Sequence, residues 1–366
     1  LNYTGAPCPA DADGSHLFRI FDGHRDAHGK RGIKFEHRHD GIGVAQNRGH
    51  FVRTICERLI AFPFLAPVLD KLYIASLFPV ADGGNDLMAA AYFLRGSGPV
   101  PEKLDPYNPY SFVSPENLPV EARVSDVPII PGRIGPTDNE NVKWALVNLG
   151  CLYSTLFYNE DNFNPNTNAY YCSDGKTPNH AISIVGWDDT YPASKFKNQP
   201  AGDGAFICAN SWGTDFGDKG FFYVSYYDSL IAKRISAFSA APDRTDGSYG
   251  YDTLGWVNSF GFGFSDASAA NVFTAEEDIE VASAGFYIPQ VGTSVTASVY
   301  LNPVESPVGN LPPVASKEET YQVPGYHSLM FDIPVKVKKG DKFTITVDFY
   351  TPDYGFPIPV EYPVPG

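Results

Sequence analysis

The sequence has no apolar run reaching the roughly 18 residues of a membrane-spanning helix, so the expectation is a chain without a transmembrane segment. Basic residues are in deficit. Lys and Arg total 27 against 42 Asp and Glu, a net charge of −15, which argues against nucleic acid or an anionic membrane surface as the main partner and otherwise serves solubility. Cysteine is sparse and odd in number: Cys8, Cys56, Cys151, Cys172 and Cys208. At least one is unpaired, and none forms a C-x-x-C pair, which excludes the usual zinc sites. The chain opens at Leu1 with no charged-then-apolar leader and closes in a Pro-rich run at Gly366. The expectation is therefore a fragment at both ends, with any signal peptide outside it.

What is present is apolar and turn-rich. Hydrophobic residues make up 43% and aromatics 14%, with 34 Gly, 31 Pro and 22 Tyr in 366 residues, enough for two domains of β- and loop-rich, extracellular style. Six of the eight histidines (His16, His24, His28, His37, His39, His50) fall early in the chain. Their spacing fits no ligand pattern, and a solvated loop is the better reading.

Two blocks carry chemistry. N-H-A-I-S-I-V-G-W begins at Asn179, and His180 opens an alternating apolar run that reads as a buried strand. A second strand, Ala205 to Ala209, ends in Asn210-Ser211-Trp212-Gly213, and a Gly-rich turn leads to a third strand, Phe221 to Tyr226. The His and Asn then stand on neighbouring strands of one sheet. There an Asn oxygen accepts from one ring N–H and fixes the tautomer, while the other ring nitrogen takes a proton from a thiol. Trp212 would shield that bond from water.

Together, N-H-A-x-x-I-V-G-W and N-S-W-G-T-x-F-G-x-x-G-F resemble the His and Asn blocks of papain-like cysteine peptidases. The resemblance implies a catalytic nucleophile at the start of a central helix, in the pattern Q-x-x-C-G-x-C-W-A-F. That pattern is absent. In its place stands V-A-Q-N-R-G-H-F-V-R-T-I-C-E-R-L-I-A-F, Val44 to Phe62, where Gln46 and Gly49 follow the first part and Cys56 precedes an apolar run. His180 lies 124 positions after Cys56, against roughly 130–150 in the family. Three readings of Cys56 stand: a divergent nucleophile, a buried cysteine in an inactive relative, or a reading-frame error across the segment. Aligning Asn47-Arg48-Gly49-His50 with the family's N-Q-G-H would put Arg48 at the oxyanion Gln and Thr54 at the nucleophile. Cys172 and Cys208 are weaker candidates, since neither opens a helix.

The likeness returns at Asp82. Gly83 and Gly84 match the family's cleft glycines, whose backbone pairs with the substrate peptide, and Asn85 caps a helix carrying Leu87, Met88, Ala91 and Tyr92. Further on, Thr137 and Glu140 read as a capping box for a helix with Val142, Ala145, Leu146 and Leu149 on one face, stopped by Gly150. Cys151 to Tyr158 reads as a strand and Asn159 to Lys176 as a polar loop.

Beyond residues 241–250 the texture changes to short alternating segments (Ala269 to Phe273, Ile279 to Tyr287, Ser294 to Tyr300, Lys342 to Phe349) between Gly, Pro and Asn turns, the rhythm of a β-sandwich. G-W-V-N-S-F-G-F-G, V-A-S-A-G-F-Y and P-I-P-V-E-Y-P resemble the lectin-like domain that follows bacterial and archaeal papain-like peptidases. The expected organisation is a divergent N-terminal part (1–80), a peptidase domain (81–240), a linker (241–250) and a lectin-like sandwich (251–366). The fold class is an α+β papain-like domain of two lobes, helical and β-barrel-like, followed by an all-β sandwich.

The resemblance implies a secreted or cell-envelope cysteine endopeptidase using Cys56, His180 and Asn210, with Gly83 and Gly84 binding substrate and Trp212 in support. It implies no cofactor and no metal, a protein or peptide substrate, and a cell-surface glycan as a further partner. An inactive papain-shaped surface protein that binds through the sandwich is one alternative. A different Cys–His acyl transferase, such as a transglutaminase, is another, although it would prefer Asp to Asn210.

Overall fold

A computed structural model of the chain describes residues 42–44 (backbone), 85–96, 99–101, 103–106, 115, 118–240, 247–252, 254–304, 306–308 and 312–361. Cys56, Gly83 and Gly84 lie outside these residues, as do Gln46 and Thr54. The described residues form two compact units: 42–44 with 131–237, and 85–130 with 238–361.

The first unit is built on a mostly antiparallel sheet. Its strands run in the order Ile235–Ala237, Leu152–Leu156, His180–Asp188, Ala205–Ala209, Phe221–Ser225, Ala169–Tyr170, Phe163–Asn164, and Ile42–Val44 also pairs with His180–Asp188. The last two of these short strands lie in the stretch that reads as a polar loop, and Ala169–Tyr170 pairs parallel with Phe221–Ser225. Ile182 through Trp187 are all buried, so the central strand is covered on both faces.

Helix α1 of the chain, Asp86–Leu94, belongs to the second unit; helix α2, Glu140–Leu149, lies against the sheet of the first. The α2 residues Val142, Ala145 and Leu146 are fully buried, as their spacing requires, and Gly150 ends the helix at φ 95°. The capping box does not form. The helix starts at Glu140 with Asn139 as its cap, and Asn139 makes no cap bond because its side chain is taken elsewhere: its amide donates to the Pro136 carbonyl and its oxygen accepts from Arg133.

Arg133 is the polar centre of this unit. It is buried, with Nη1 donating to Asn139 Oδ1 (2.8 Å) and the Tyr226 carbonyl (3.1 Å), Nη2 to the Ile231 carbonyl (3.0 Å), and its guanidinium 4.9 Å from the Phe206 ring centre. Burial lowers its pKa to about 10, against the opposing pull of Asp228. Asp228 in turn accepts from the backbone N–H groups of Cys172, Leu230 and Ile231.

The second unit is a sandwich. One sheet runs Asp266–Thr274, Lys342–Tyr350, Thr293–Leu301, Ala315–Tyr321; facing strands are Ile279–Ile288 and Gly325–Val337. Phe273, Val295, Val299, Phe343 and Phe349 from the first sheet share a core with Val281, Phe286, Ile288, Leu329 and Phe331 from the second. The four segments legible in the sequence all form strands. Ala315–Tyr321 was not legible because S-K-E-E-T is a polar edge with little to bury. Gly325–Val337 contains Pro334, which donates no ladder bond and falls where the pairing breaks between Val281 and Ser283.

This sheet takes in an earlier strand as well. Val124–Ile130 pairs with Gly325–Val337 through Pro128 and Val127. Gly325 sits at φ 117°, and a Cβ there would come within 2.2 Å of the Val127 carbonyl, so only glycine fits. Helix α1 has the expected cap: Asn85 Oδ1 accepts from the N–H groups of Leu87 and Met88, each at 3.0 Å. Among the described residues only these two α-helices, of nine and ten residues, are present, with two 3-10 turns, Glu160–Asn162 and Ala193–Lys195. The fold seen is therefore mostly β, and a helical lobe as such lies outside what the described residues display. None of their helices is long and apolar enough to cross a membrane.

Candidate active site

His180 is the first residue of the central strand and pairs with Leu156 of the neighbouring one. The entry is held by Asn179, whose side-chain oxygen accepts from the Tyr158 N–H (2.6 Å) while its amide donates to the Tyr158 carbonyl (3.0 Å). Asn210 directly follows the Ala205–Ala209 strand, which pairs with the His strand, so sheet register brings the two residues together. His180 Nε2 lies 2.8 Å from Asn210 Oδ1.

The tautomer follows from one further contact. Asn210 Oδ1 also accepts from the Ser211 backbone N–H at 2.8 Å, which fixes the oxygen end of the amide at this position. An oxygen facing the ring requires Nε2 to carry a proton, and in the neutral imidazole Nδ1 is then the acceptor. Asn210 is fully buried, and burial lowers the pKa of His180, partly offset by the Asn210 bond.

Aromatic rings enclose this pair. Trp212 lies 4.7 Å from the His180 ring at 31°, and Tyr158 meets both edge-on, at 5.8 Å to His180 and 4.6 Å to Trp212. Phe216 meets Trp212 at 5.0 Å, and Tyr170 stacks on Tyr158 while its hydroxyl donates to the Phe157 carbonyl. The turn after Trp212 is tight: Gly217, at φ 61°, would place a Cβ 2.2 Å from the Phe221 carbonyl. Trp212 was expected over the hydrogen bond; Tyr158 and Phe216 were not. The sequence offered one faint signal for Phe216, its place four residues after Trp212 in the Gly-rich turn.

The free thiols among the described residues are Cys172 and Cys208, both buried. Burial pushes both thiols up, Cys208 strongly, so neither supplies a thiolate at neutral pH. Cys151 is disulfide-bonded. Among the described residues no group of three His, Cys, Asp or Glu side chains is placed to hold a metal ion.

An open cavity of about 660 Å³ is lined by Tyr158 and Trp212, the two rings that meet His180, together with Glu160, Asp161, Phe163, Pro165, Lys197 and Phe216.

With the His–Asn geometry in place, comparison with known proteins shows what the chain is similar to. Residues 81–237 match the model of the papain family cysteine proteases, and residues 248–366 that of the lectin-like domain. A cysteine protease domain and a lectin-like domain are also found together in a solved structure similar to this chain. The clostridial cysteine protease Cwp84 after propeptide cleavage is 25% identical with a TM-score of 0.68, the likeness covering 84% of this chain and 77% of that one. The cysteine protease and lectin-like domains of Cwp84, described as a surface layer associated protein of Clostridium difficile, give 26% identity and a TM-score of 0.63, covering 77% of this chain and 64% of that one. A probable cysteine proteinase of invertebrate iridescent virus 6 is 36% identical over 66 residues, 18% of this chain and 13% of the viral protein. The match thus spans a small part of that relative's length.

Proposed function

We propose that the chain is a cysteine endopeptidase in which Cys56 is the nucleophile, leaving Cys8 as the partner of the Cys151 disulfide, His180 the proton carrier and Asn210 the residue that orients it. The observation that carries the reading is the 2.8 Å contact between His180 Nε2 and Asn210 Oδ1, with the oxygen end fixed by the Ser211 N–H. Nδ1 takes the thiol proton, and the thiolate attacks the peptide carbonyl. His180 then passes that proton to the leaving amine as the C–N bond breaks. In the second half Nδ1 takes a proton from water, the hydroxide attacks the thioester, and the thiol is regained. A backbone N–H with a Gln side chain would hold the oxyanion, and Gly83 and Gly84 would pair with the substrate backbone. The domain division proposed is that of the sequence reading, with the peptidase ending near residue 240. No cofactor enters any step.

Peptide mapping by mass spectrometry after treatment with an epoxide selective for papain-like thiolates tests this. The expected result is one adduct, on Cys56, lost in His180→Ala, with Cys172 and Cys208 unmodified because both are buried with raised pKa. No adduct on any cysteine would overturn the assignment.

A second reading concerns residues 251–366, which we propose contact a cell-surface glycan, placing the protein outside the cell or at its envelope; Cwp84 is a surface layer associated protein. The supporting observation is a group of exposed rings. Phe260, Phe262 and Phe264 are exposed by 50%, 65% and 67%, and Phe260 and Phe262 meet edge-on at 5.2 Å. Apolar faces of sugars stack on such rings. Retention on a column of envelope polysaccharide is expected to fall in Phe262→Ala/Phe264→Ala; equal retention of the variant and the parent would remove these rings from the binding role.

A further inference from the structure

The cavity lined by the two rings that meet His180 combines two features that the hydrolytic steps do not use: a wall of rings and a rim with more negative than positive charge. Trp212, Tyr158, Phe163 and Phe216 supply the rings. Phe163 stacks on Phe216 at 5.0 Å and 24°, and Phe216 meets Trp212 edge-on, so the wall is braced. Glu160 and Asp161 supply two carboxylates against the single ammonium of Lys197. Both acidic residues are exposed, on the short 3-10 turn Glu160–Asn162 that Asn159 caps.

Neither carboxylate forms an ion pair among the described residues, and neither does Lys197, whose backbone neighbour Asn198 is instead tied to Asn162 at 2.9 Å. Glu160 lies near enough to the Tyr158 phenol to help burial raise its pKa to about 12. The negative charge is therefore felt at the ring wall itself. A planar cation fits such a site, since its face stacks on the rings and its N–H groups reach the carboxylates.

The position assigns the half of the substrate concerned. The leaving amine takes its proton from His180, so the segment on the amine side lies nearest the rings that enclose that imidazole, Trp212 and Tyr158. We infer that this cavity is a specificity pocket for a basic side chain, arginine before lysine, on the leaving-group side of the scissile bond. The inference rests on the peptidase reading for its place in the reaction but not for its chemistry.

Binding of amino-acid amides separates the two. Arginine amide, norleucine amide and glutamate amide are titrated into the full chain by calorimetry, then into Glu160→Gln/Asp161→Asn. Arginine amide is expected to bind about 10-fold more tightly than norleucine amide, with a smaller margin at high salt and none in the double variant. The double change lies on an exposed turn, and unchanged thermal melting would show that the fold is kept. Equal affinities for the arginine and norleucine amides, or a preference for glutamate amide through Lys197, would overturn the assignment. A paired series of peptides, with Arg, norleucine or Glu on the amine side of one bond, reads the same preference in kcat/KM. If no peptide in the series is cut while the arginine-amide preference persists and depends on the two carboxylates, the peptidase reading fails and the pocket stands.

Discussion

His180→Ala is expected to lower kcat/KM on a peptide substrate by about 10²–10⁴-fold, the range for loss of a positioned proton carrier, while leaving KM within a few-fold of its starting value. In the proposed mechanism the ring serves the reacting thiol and the leaving amine but not the remote parts of a peptide. Asn210→Ala should cost less, about 10²-fold, because the imidazole survives and only its orientation is lost. The loss is expected mainly in kcat. Equal rates for Asn210→Ala and the parent would mean that the contact between His180 Nε2 and Asn210 Oδ1 is structural only.

The same pair has a signature in pH. Burial lowers the His180 pKa from the usual 6.5, and the Asn210 bond works the other way. With the nucleophile blocked by a neutral group, the imidazole is expected to titrate below 6.5 by NMR, and lower still in Asn210→Ala. Free thiolate in the parent would raise it, since a nearby anion favours imidazolium. Stability follows with a definite sign. Between the depressed native pKa and 6.5 the unfolded chain holds more proton at this site, so stability is lost as pH falls through that window and is unaffected above it.

Arg133→Met is expected to destabilise the unit of residues 131–237 by about 3–5 kcal/mol, read as a fall in the urea midpoint at unchanged slope. Methionine fills much of the volume but leaves the Tyr226 and Ile231 carbonyls and the Asn139 oxygen without their donors. Each such orphan costs about 1–3 kcal/mol when buried. It also removes the cation whose charge works against the burial-raised pKa of Asp228, so a carboxylate fixed by three backbone N–H groups keeps its place with less compensation. Arg133→Lys should recover only part of the loss, since one ammonium cannot reproduce the fork that meets three oxygens. A shift below 1 kcal/mol for Arg133→Met would show that the unit is not held together through this side chain.

The parts of the molecule that the sequence disclosed are those whose chemistry is local. The strand of His180 announces itself by an alternating apolar run, and the Asn85 cap by an Asn before a helix-forming run. The failures are tertiary. Thr137 and Glu140 have the spacing of a capping box, yet Arg133 recruits Asn139 and the helix begins later; the competitor lies six residues upstream and is invisible to a local pattern. Val124–Ile130 finds its partner near residue 325, and no periodicity names a partner. Tyr158 and Phe216 come to the histidine from segments that read as ordinary strand end and turn. The His–Asn half of the proposed site was legible because two blocks constrain each other, whereas Cys56, Gly83 and Gly84 lie outside the described residues.

The pairing of Val124–Ile130 with Gly325–Val337 also sets a timetable for the growing chain. Val124, Val127 and Ile130 are buried in the finished protein; Ser239–Ala240 pairs with one edge of their strand, but the strand that pairs through Val127 and Pro128 leaves the ribosome roughly 200 residues later. At about 5–20 residues per second, that interval is about 10–40 s. The strands of the first unit run no further than residue 237 and can pair within this interval, while Val124–Ile130 still lacks its Gly325–Val337 neighbour. Until Gly325–Val337 emerges, the nascent protein thus carries an apolar strand whose edge on that side is unpaired.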